Sequence, residues 1–209
     1  MDADGLPSVD RARLNRQPTL PPPSYSDERP ATTAGPLTAA TQPRPPGWAL
    51  TPFPDTETSR SNGTAAQRRD AARAAWEAVL VCGGVDRRDW VDPTHALMLN
   101  VTGEGSAQGR GGIGLVLQFA HEAEARRYQA VVQRVLQACP DTASGGAPGV
   151  QRMPGTTTGT WLGHRTYSGG VVWSEIVVVH GSQVRLWIVQ QNLDAGQLQV
   201  AARRVGAAR

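Results

Sequence analysis

The segment that most constrains the fold runs from residue 169 to residue 191 and reads GGVVWSEIVVVHGSQVRLWIVQQ. Val, Ile and Trp dominate it, which is typical of strands. Gly181-Ser182 suits a two-residue type II′ turn, because glycine then takes the first central position. That turn sets Glu175 opposite Ile188. We therefore predict an antiparallel hairpin.

A second hairpin should precede the first, with Gly169-Gly170 as another two-residue turn. In that register His164 lies directly opposite Glu175, on the side of the sheet that packs against helices. Directly opposite side chains in an antiparallel pair lie within contact distance. We therefore predict a buried structural pair of His164 and Glu175, in which a hydrogen bond satisfies the carboxylate.

The other face of these strands carries an unusual number of aromatic and arginine side chains. Its candidate binding residues are Trp161, Arg165, Tyr167, Arg185 and Trp187. Such a face is typical of a binding surface. The alternative is a second layer, in which the N-terminal tail or residues 141–157 cover it. A register slip of one residue would exchange the two faces, so both predictions depend on the register.

The remaining patterns predict an α+β domain with helices packed on one face of a mainly antiparallel five-stranded sheet, in the order α-β-β-α-β-β-β-α. A first helix is predicted from Thr64, where TAAQ has the form of a capping box. Strands are predicted at 95–101 and 113–120, a helix at 121–138 and a last helix with Asp194 as its N-cap.

The first 60 residues contain 12 of the 16 prolines and few β-branched or aromatic residues. Such a composition does not bury enough apolar surface to offset the entropy of ordering. We therefore predict a disordered Pro-rich tail or linker over residues 1–60 and a single domain over residues 61–209. No apolar run of 18 residues occurs, so the chain should hold no transmembrane segment. No signal peptide is visible either, which leaves a cytoplasmic protein or an export and membrane-tethering segment upstream.

Several chemistries are disfavoured. The 15 arginines and 11 acidic residues of residues 61–209 are spread along the chain, which argues against a nucleic-acid surface. The four histidines show no i, i+4 pairing, so we expect no metal and no cofactor. The one enzymatic alternative that we retain is an acid/base dyad of His164 and Glu175.

Cys82 and Cys139 are the only cysteines, and both lie at the C-terminal ends of predicted helices. If those helices pack side by side and parallel, the sulfurs can form a disulfide, which would indicate an oxidising compartment. The alternative is two separate buried thiols in a cytoplasmic protein.

The strand GIGLVLQFA, the helix HEAEARRYQAVVQRVLQAC and the hairpin VVWSEIVVVHGSQVRLWIVQQNL together resemble the extracytoplasmic sensor domains of mycobacterial PknH-type Ser/Thr kinases and related actinobacterial lipoproteins. The resemblance covers about residues 64–206. It implies a noncatalytic module with a cleft, on a Pro-rich spacer from the membrane. This chain departs from those domains in having one possible disulfide, Cys82–Cys139, where they carry two, and in lacking a kinase domain and a lipobox.

We therefore expect a noncatalytic, extracytoplasmic, sensor-like module that binds a small molecule or a protein. The alternatives are a small enzyme that uses His164 and Glu175, and a cytoplasmic adaptor that acts through its Pro-rich tail.

Overall fold

The computed structural model describes residues 29–55, 61–79, 86, 89–143, 148–167 and 169–207. Eleven strands and three α-helices lie in these ranges. In chain order they are β1 (Arg29–Pro30), β2 (Thr33–Ala34), β3 (Leu37–Thr38), β4 (Trp48–Leu50), β5 (Ala66–Arg69), α1 (Ala71–Glu77), β6 (His95–Gly103), β7 (Gly111–Gln118), α2 (Glu122–Gln137), β8 (Gly149–Arg152), β9 (Thr160–Thr166), β10 (Val172–His180), β11 (Gln183–Val189) and α3 (Ala195–Gly206).

Nine strands form one sheet in the order β1-β5-β6-β7-β11-β10-β9-β8, with β4 paired to β6 beyond the end of β5. Every strand pair in the described ranges is antiparallel, so the predicted α+β class with a mainly antiparallel sheet is confirmed. The predicted number of five strands is wrong. The additional strands come from segments that the sequence assigns to the tail, to the first helix and to the loop at 141–157.

The hairpin of β10 and β11 has the predicted register, with Glu175 opposite Ile188 and Val179 opposite Val184. Gly181 has a φ of +54°, whereas Ser182 has no positive φ, which is the pattern of a type II′ turn. Glycine adopts this conformation without steric cost.

The hairpin of β9 and β10 differs from the prediction by one residue. The amide of Tyr167 donates to the carbonyl of Val171 (3.1 Å), so three positions separate the paired residues instead of two. Gly169 and Gly170 have φ values of +96° and +78°, and both contribute to the longer connection. As a result Ser174 lies opposite His164, and every side chain of β9 points to the face opposite the predicted one.

One face of the sheet, the α2 face, is covered by α1 and α2. Tyr128, Val132 and Leu136 of α2 pack there against Trp161, Val177 and Leu186 of the sheet, and all six are buried. Dense apolar packing of this kind holds α2 in place, because its isolated helix of 16 residues would be marginal in water.

The other face, the α3 face, is covered as well, so the prediction that all helices lie on one face is wrong. Leu198, Ala201 and Val205 of α3 pack against Ile176 and Trp187. Leu37 and Trp48 from the N-terminal segment belong to the same cluster. The structure therefore supports the alternative that a second layer covers this face. The N-terminal segment and α3 form that layer.

Residues 29–55, which the sequence assigns to the tail, form β1 to β4 and belong to the folded unit. The amide of Thr51 donates to the carbonyl of Asn100 (3.1 Å), and the amide of Phe53 donates to that of Thr64 (3.0 Å). The predicted boundary at residue 60 is therefore wrong for this segment. The rest of the predicted tail, residues 1–28 and 56–60, lies outside the described residues.

The two long helices match their predictions. Pro140 follows α2, and Asp194 is the N-cap of α3. The first helix does not begin at Thr64: Ala66–Arg69 pairs with β6, and α1 starts at Ala71 with Asp70 as its N-cap. None of the helices in the described ranges is long and apolar enough to cross a bilayer.

Candidate functional site

A cleft of about 420 Å³ opens at the N-terminal end of α3. Three segments form its walls: the turn before β4, the loop between β6 and β7, and the chain from the end of β11 into α3. The lining residues with side chains that matter to a ligand are Pro45, Glu104, Gln191, Leu193, Asp194 and Val200. We call this the α3 cleft.

The first turn of α3 is held rigidly by a capping box. The amide of Gln197 donates to Asp194 Oδ1 (2.8 Å), and the amide of Asp194 donates to Gln197 Oε1 (2.9 Å). Ser, Thr, Asp and Asn are favoured at this position because the side chain accepts from an otherwise unsatisfied backbone donor. The wall of the α3 cleft that this turn forms therefore has a defined conformation.

Two buried polar side chains of the sheet form hydrogen bonds to the backbone of the segment between β11 and α3. Ser174 Oγ donates to the carbonyl of Gln191 (2.6 Å) and accepts from the amide of Leu193 (3.0 Å). His164 Nε2 lies 2.8 Å from the carbonyl of Leu193 and donates to it, because a carbonyl oxygen only accepts. His164 and Ser174, opposite each other on the α3 face, thus position the residues that line the cleft.

The opposite wall is a tight backbone arrangement. Gly47 has a φ of +77°, and its carbonyl accepts from the amide of Glu104 (2.8 Å). A 3₁₀ turn at Gly105–Ala107 follows, and it buries Ala107 against the same apolar cluster that contains α3. This wall depends on the N-terminal segment, since Pro45–Gly47 leads directly into β4.

The chemical character of the α3 cleft is apolar and acidic. Glu104 and Asp194 supply carboxylates, and none of the lining residues that the structure describes is basic. Val200 lines the cleft with 46% of its surface exposed, although it is a β-branched apolar residue. A ligand with an apolar body and hydrogen-bond donors, or a positive charge, fits this lining.

The five predicted binding residues do not form a common surface. Trp161 and Arg165 are buried on the α2 face, at 0% and 4% exposure. Arg185 and Trp187 are buried on the α3 face, at 6% and 0%. Only Tyr167 is exposed. The prediction of an exposed face is wrong for two reasons: the one-residue shift of β9 separates the residues, and α3 covers the face that was expected to be open.

The predicted pairing of His164 with Glu175 is also wrong, since the two side chains lie on opposite faces. Glu175 forms a buried ion pair with Arg165 instead, with Arg165 Nε donating to Glu175 Oε2 (3.0 Å) and Arg165 Nη2 donating to Glu175 Oε1. Burial acts to lower the pKa of Arg165, but the neighbouring Glu175 carboxylate outweighs this and raises the pKa. With the two residues separated, an acid/base dyad of His164 and Glu175 does not exist.

Arg185 has a structural role that the sequence did not indicate. Its Nη1 donates to the carbonyls of Val205 (2.7 Å) and Ala207 (3.1 Å), at the C-terminal end of α3. A cation at this end of a helix is favoured by the helix dipole, and the last carbonyls of a helix lack intrahelical partners. Burial lowers the pKa of Arg185.

Cys139 is buried directly after α2, at 7% exposure. Cys82 lies outside the described residues, so the disulfide Cys82–Cys139 stays a prediction. Within the described residues, no group of three or more His, Cys, Asp or Glu side chains is arranged to hold a metal ion.

Sequence reasoning missed most of the α3 cleft. It identified Asp194 as an N-cap, but the other walls come from Pro45–Gly47 and Glu104–Ala107, which it assigned to a tail and a loop. The Pro-Pro-Gly run at 45–47 was a signal for a tight turn. Its position beside α3 could not be derived, because it follows from the pairing of β4 with β6.

No family model matches the sequence, and no curated protein matches it either. Among solved structures, the extracellular domain of PknH from Mycobacterium tuberculosis is similar to this chain, with a TM-score of 0.39 and 14% sequence identity. The match covers 55% of this chain and 63% of that chain, so it spans less than two thirds of that structure. It is a weak structural resemblance.

Proposed function

We propose that this chain is a noncatalytic, sensor-like binding module that holds a small ligand in the α3 cleft. The observation that carries the proposal is the cleft itself: three separate segments meet there, and each is fixed by specific hydrogen bonds. A preformed concave site that combines an apolar lining with a few oriented polar groups is the usual form of a ligand site.

The lining indicates the class of ligand. Val200 and Leu193 offer apolar contact, and Glu104 and Asp194 place negative charge at the rim. We infer that a primary or secondary amine with an apolar body is favoured over an anion of the same size, because the carboxylates attract the first and repel the second.

The buried polar groups that could serve chemistry have structural partners. Glu175 is paired with Arg165, and both His164 and Ser174 bond to the backbone of the cleft wall. This supports a binding role over the enzymatic alternative. The adaptor alternative acts through the predicted tail, of which residues 1–28 lie outside the described residues.

A titration of the full chain with small aliphatic and aromatic amines tests the proposal. Neutral and anionic analogues of equal size serve as controls, and binding is detected by changes in amide NMR shifts. The amines should shift the amides of residues 191–201 saturably, and the anions should not. Val200→Gln should weaken amine binding about tenfold, because it removes roughly one buried apolar side chain from the contact. The matched control is Val171→Gln, since Val171 is similarly exposed (41%) but lies outside the cleft.

A second substitution tests the charge. Glu104→Gln should reduce the preference for amines over neutral analogues, with the effect diminished at high salt. Equal binding of amines and anions, or binding that Val200→Gln leaves unchanged, would contradict the proposal.

We also propose an extracytoplasmic location, supported by the predicted Cys82–Cys139 disulfide. Thiol titration of protein taken from its native host under denaturing, alkylating conditions should detect no free thiol without reductant and two with it. Two free thiols without reductant would favour the cytoplasmic alternative.

A further inference from the structure

A second cleft, of about 340 Å³, lies beside α3. Successive residues of a helix are turned by about 100°. Relative to the buried Leu198, Gln199 and Ala202 are therefore turned to one side of α3, whereas Gln197 and Ala201 of the α3 cleft are turned to the other. The two clefts thus lie on opposite flanks of the same helix. The lining residues of the second cleft include Thr157, Thr160, Leu162, Gln199, Ala202 and Arg203, and we call it the Arg203 cleft.

The wall opposite α3 is a hydrogen-bonded turn between β8 and β9. The amide of Thr157 donates to the carbonyl of Thr160 (2.9 Å), and the amide of Thr160 donates to that of Thr157 (3.0 Å). Gly155 brings this turn into close contact with α3, because a Cβ on it would lie 2.9 Å from Gln199 Cγ. The two walls are therefore in contact at one end, and the cleft between them is preformed.

The Arg203 cleft has an apolar floor and a polar rim. Leu162 and Ala202 are buried, and they form the floor. Thr157 and Arg203 are exposed, so their polar groups are accessible to a ligand. An apolar lining with a few polar groups is the usual form of a small-molecule site.

The polar side chains of this cleft are available for hydrogen bonds. Among the residues that the structure describes, the side chains of Thr157, Thr160, Gln199 and Arg203 form no hydrogen bond and no ion pair. A basic residue in the last turn of a helix often binds the last carbonyls of that helix. Arg185 already binds those of α3, so Arg203 has no such role.

The charge of Arg203 selects the class of ligand. It is the one charged side chain among the described residues that line this cleft, whereas the α3 cleft has the carboxylates of Glu104 and Asp194. A guanidinium presents its N–H groups in a planar fork that matches two oxygens of a carboxylate or a phosphate. The amide of Gln199 and the hydroxyl of Thr157 can donate to the same group.

We propose that the Arg203 cleft binds an oxyanion group, a carboxylate or a phosphate, on a small ligand with an apolar body. Arg203 pairs with the oxyanion, and the apolar body lies on Leu162 and Ala202. This inference does not depend on the ligand proposed for the α3 cleft.

A titration of the full chain with benzoate and with phenyl phosphate tests the proposal, with benzamide as the neutral analogue. At least one anion should shift the amide NMR signals of residues 155–162 saturably, with a dissociation constant of about 1 mM or less. Benzamide should bind at least about tenfold more weakly, because it has no charge to pair with Arg203. These amides lie outside residues 191–201, so this result is read separately from that for the α3 cleft.

Arg203→Gln should weaken binding of the anion at least about tenfold, because its charge-assisted hydrogen bonds are lost. The matched control is Arg204→Gln. Arg204 is also exposed and lies in the same last turn of α3, but it does not line the cleft. Both variants remove one positive charge, so the control should leave the affinity within about twofold. Circular dichroism establishes that both variants are folded.

Three results would overturn the proposal. Shifts that do not saturate by about 10 mM for either anion would mean that the cleft holds no oxyanion and that Arg203 is a solvated surface residue. Equal weakening by Arg203→Gln and Arg204→Gln would mean that only net charge attracts the anion. Benzamide binding as tight as that of the anions would mean that the apolar floor alone holds the ligand.

Discussion

Glu175 is a carboxylate with no exposed surface, set in a strand of Val, Ile and Trp. Desolvation of a charge in such a place is costly, and Arg165 offsets it with two parallel hydrogen bonds. The sequence predicted that Glu175 needs a partner, but it selected His164. His164 and Arg165 are adjacent in the chain and point to opposite faces of the sheet. A register error of one residue was therefore enough to place His164 instead of Arg165 on the face of Glu175.

The Arg165–Glu175 pair should show strong coupling in a double-mutant cycle. Glu175→Leu or Arg165→Met alone should lower the free energy of unfolding by about 3–5 kcal/mol, because each leaves a buried charge without its partner. The double variant should cost less than either single one, since it removes both charges. Urea unfolding measures the values.

The surface pair of Arg126 and Glu122 is the control for that cycle. Both side chains are about half exposed in an i, i+4 arrangement, so Glu122→Gln should cost only about 0.5 kcal/mol or less. If the two single variants at 165 and 175 are as mild as this control, the pair is not buried as described.

Tyr128 makes stability depend on pH in the alkaline range. Burial, with the charge of Glu175 as a second cause, raises the pKa of Tyr128 far above the ordinary value. Below about pH 10 the phenol is protonated in both states and has no effect. Above that value the unfolded chain loses the proton and the folded chain keeps it, so stability falls as the pH rises.

Tyr128→Phe should therefore reduce the loss of stability between pH 10 and 11.5 by up to about 1.4 kcal/mol per pH unit. At pH 7 the same variant should be less stable by about 1 kcal/mol, because the bond from Tyr128 Oη to the carbonyl of Ala75 (2.7 Å) is lost. Thermal unfolding followed by circular dichroism at each pH measures both effects. An unchanged alkaline slope would show that Tyr128 titrates normally.

At the scale of elements, the sequence predicted α2, α3 and the central strands β6, β7, β10 and β11. Local signals specify each of these: periodicity and Pro140 for α2, the N-cap Asp194 for α3, and Gly181 for the β10–β11 hairpin. The predicted register of β9 was wrong by one residue, because a Gly-Gly pair is compatible with turns of two or three residues. The four additional strands of the nine-stranded sheet, β1, β4, β5 and β8, are short, and pairing with β6, β5 or β9 stabilises them more than their own composition does.

Gly114 of β7 leaves the space that the Trp187 ring of β11 occupies. A Cβ on Gly114 would lie 2.5 Å from Trp187 Cζ3, whereas a Cβ on Gly111 in the same strand would meet nothing within 4 Å. Gly114→Ala should therefore cost about 1–3 kcal/mol through overpacking against Trp187. Gly111→Ala, the control, should change stability by no more than about 0.5 kcal/mol.

Chemical denaturation measures the free energy of unfolding of Gly114→Ala and Gly111→Ala under the same conditions. Equal stability of Gly114→Ala and Gly111→Ala would mean that the Trp187 ring does not lie on β7. Such a result would remove the packing that makes this face a core.

At the scale of the whole molecule, the described residues form a sheet with helices packed on both faces. The predicted fold class is confirmed, but the sequence placed all helices on one side and left the other side to a binding surface. Amphipathic patterns show which residues of a helix are buried, and they do not show which face of a sheet buries them. The Pro-rich composition of residues 29–55 hid their role, because those residues gain order from contacts that are distant in sequence.

The α3 cleft is a consequence of this arrangement. The N-terminal segment and α3 lie on the same face, and the gap between Pro45–Gly47 and the first turn of α3 is the α3 cleft. The central claim is therefore that residues 29–55 are part of the folded unit and form one wall of the α3 cleft.

Amide hydrogen exchange of the full chain, resolved to peptides that cover residues 47–53, tests this claim most directly. The amides of Thr51 and Phe53 are bonded to Asn100 and Thr64, so they should exchange at least about 100-fold more slowly than amides of an unstructured peptide. Exchange of these amides at the unstructured rate, while those of β10 remain protected, would contradict the account.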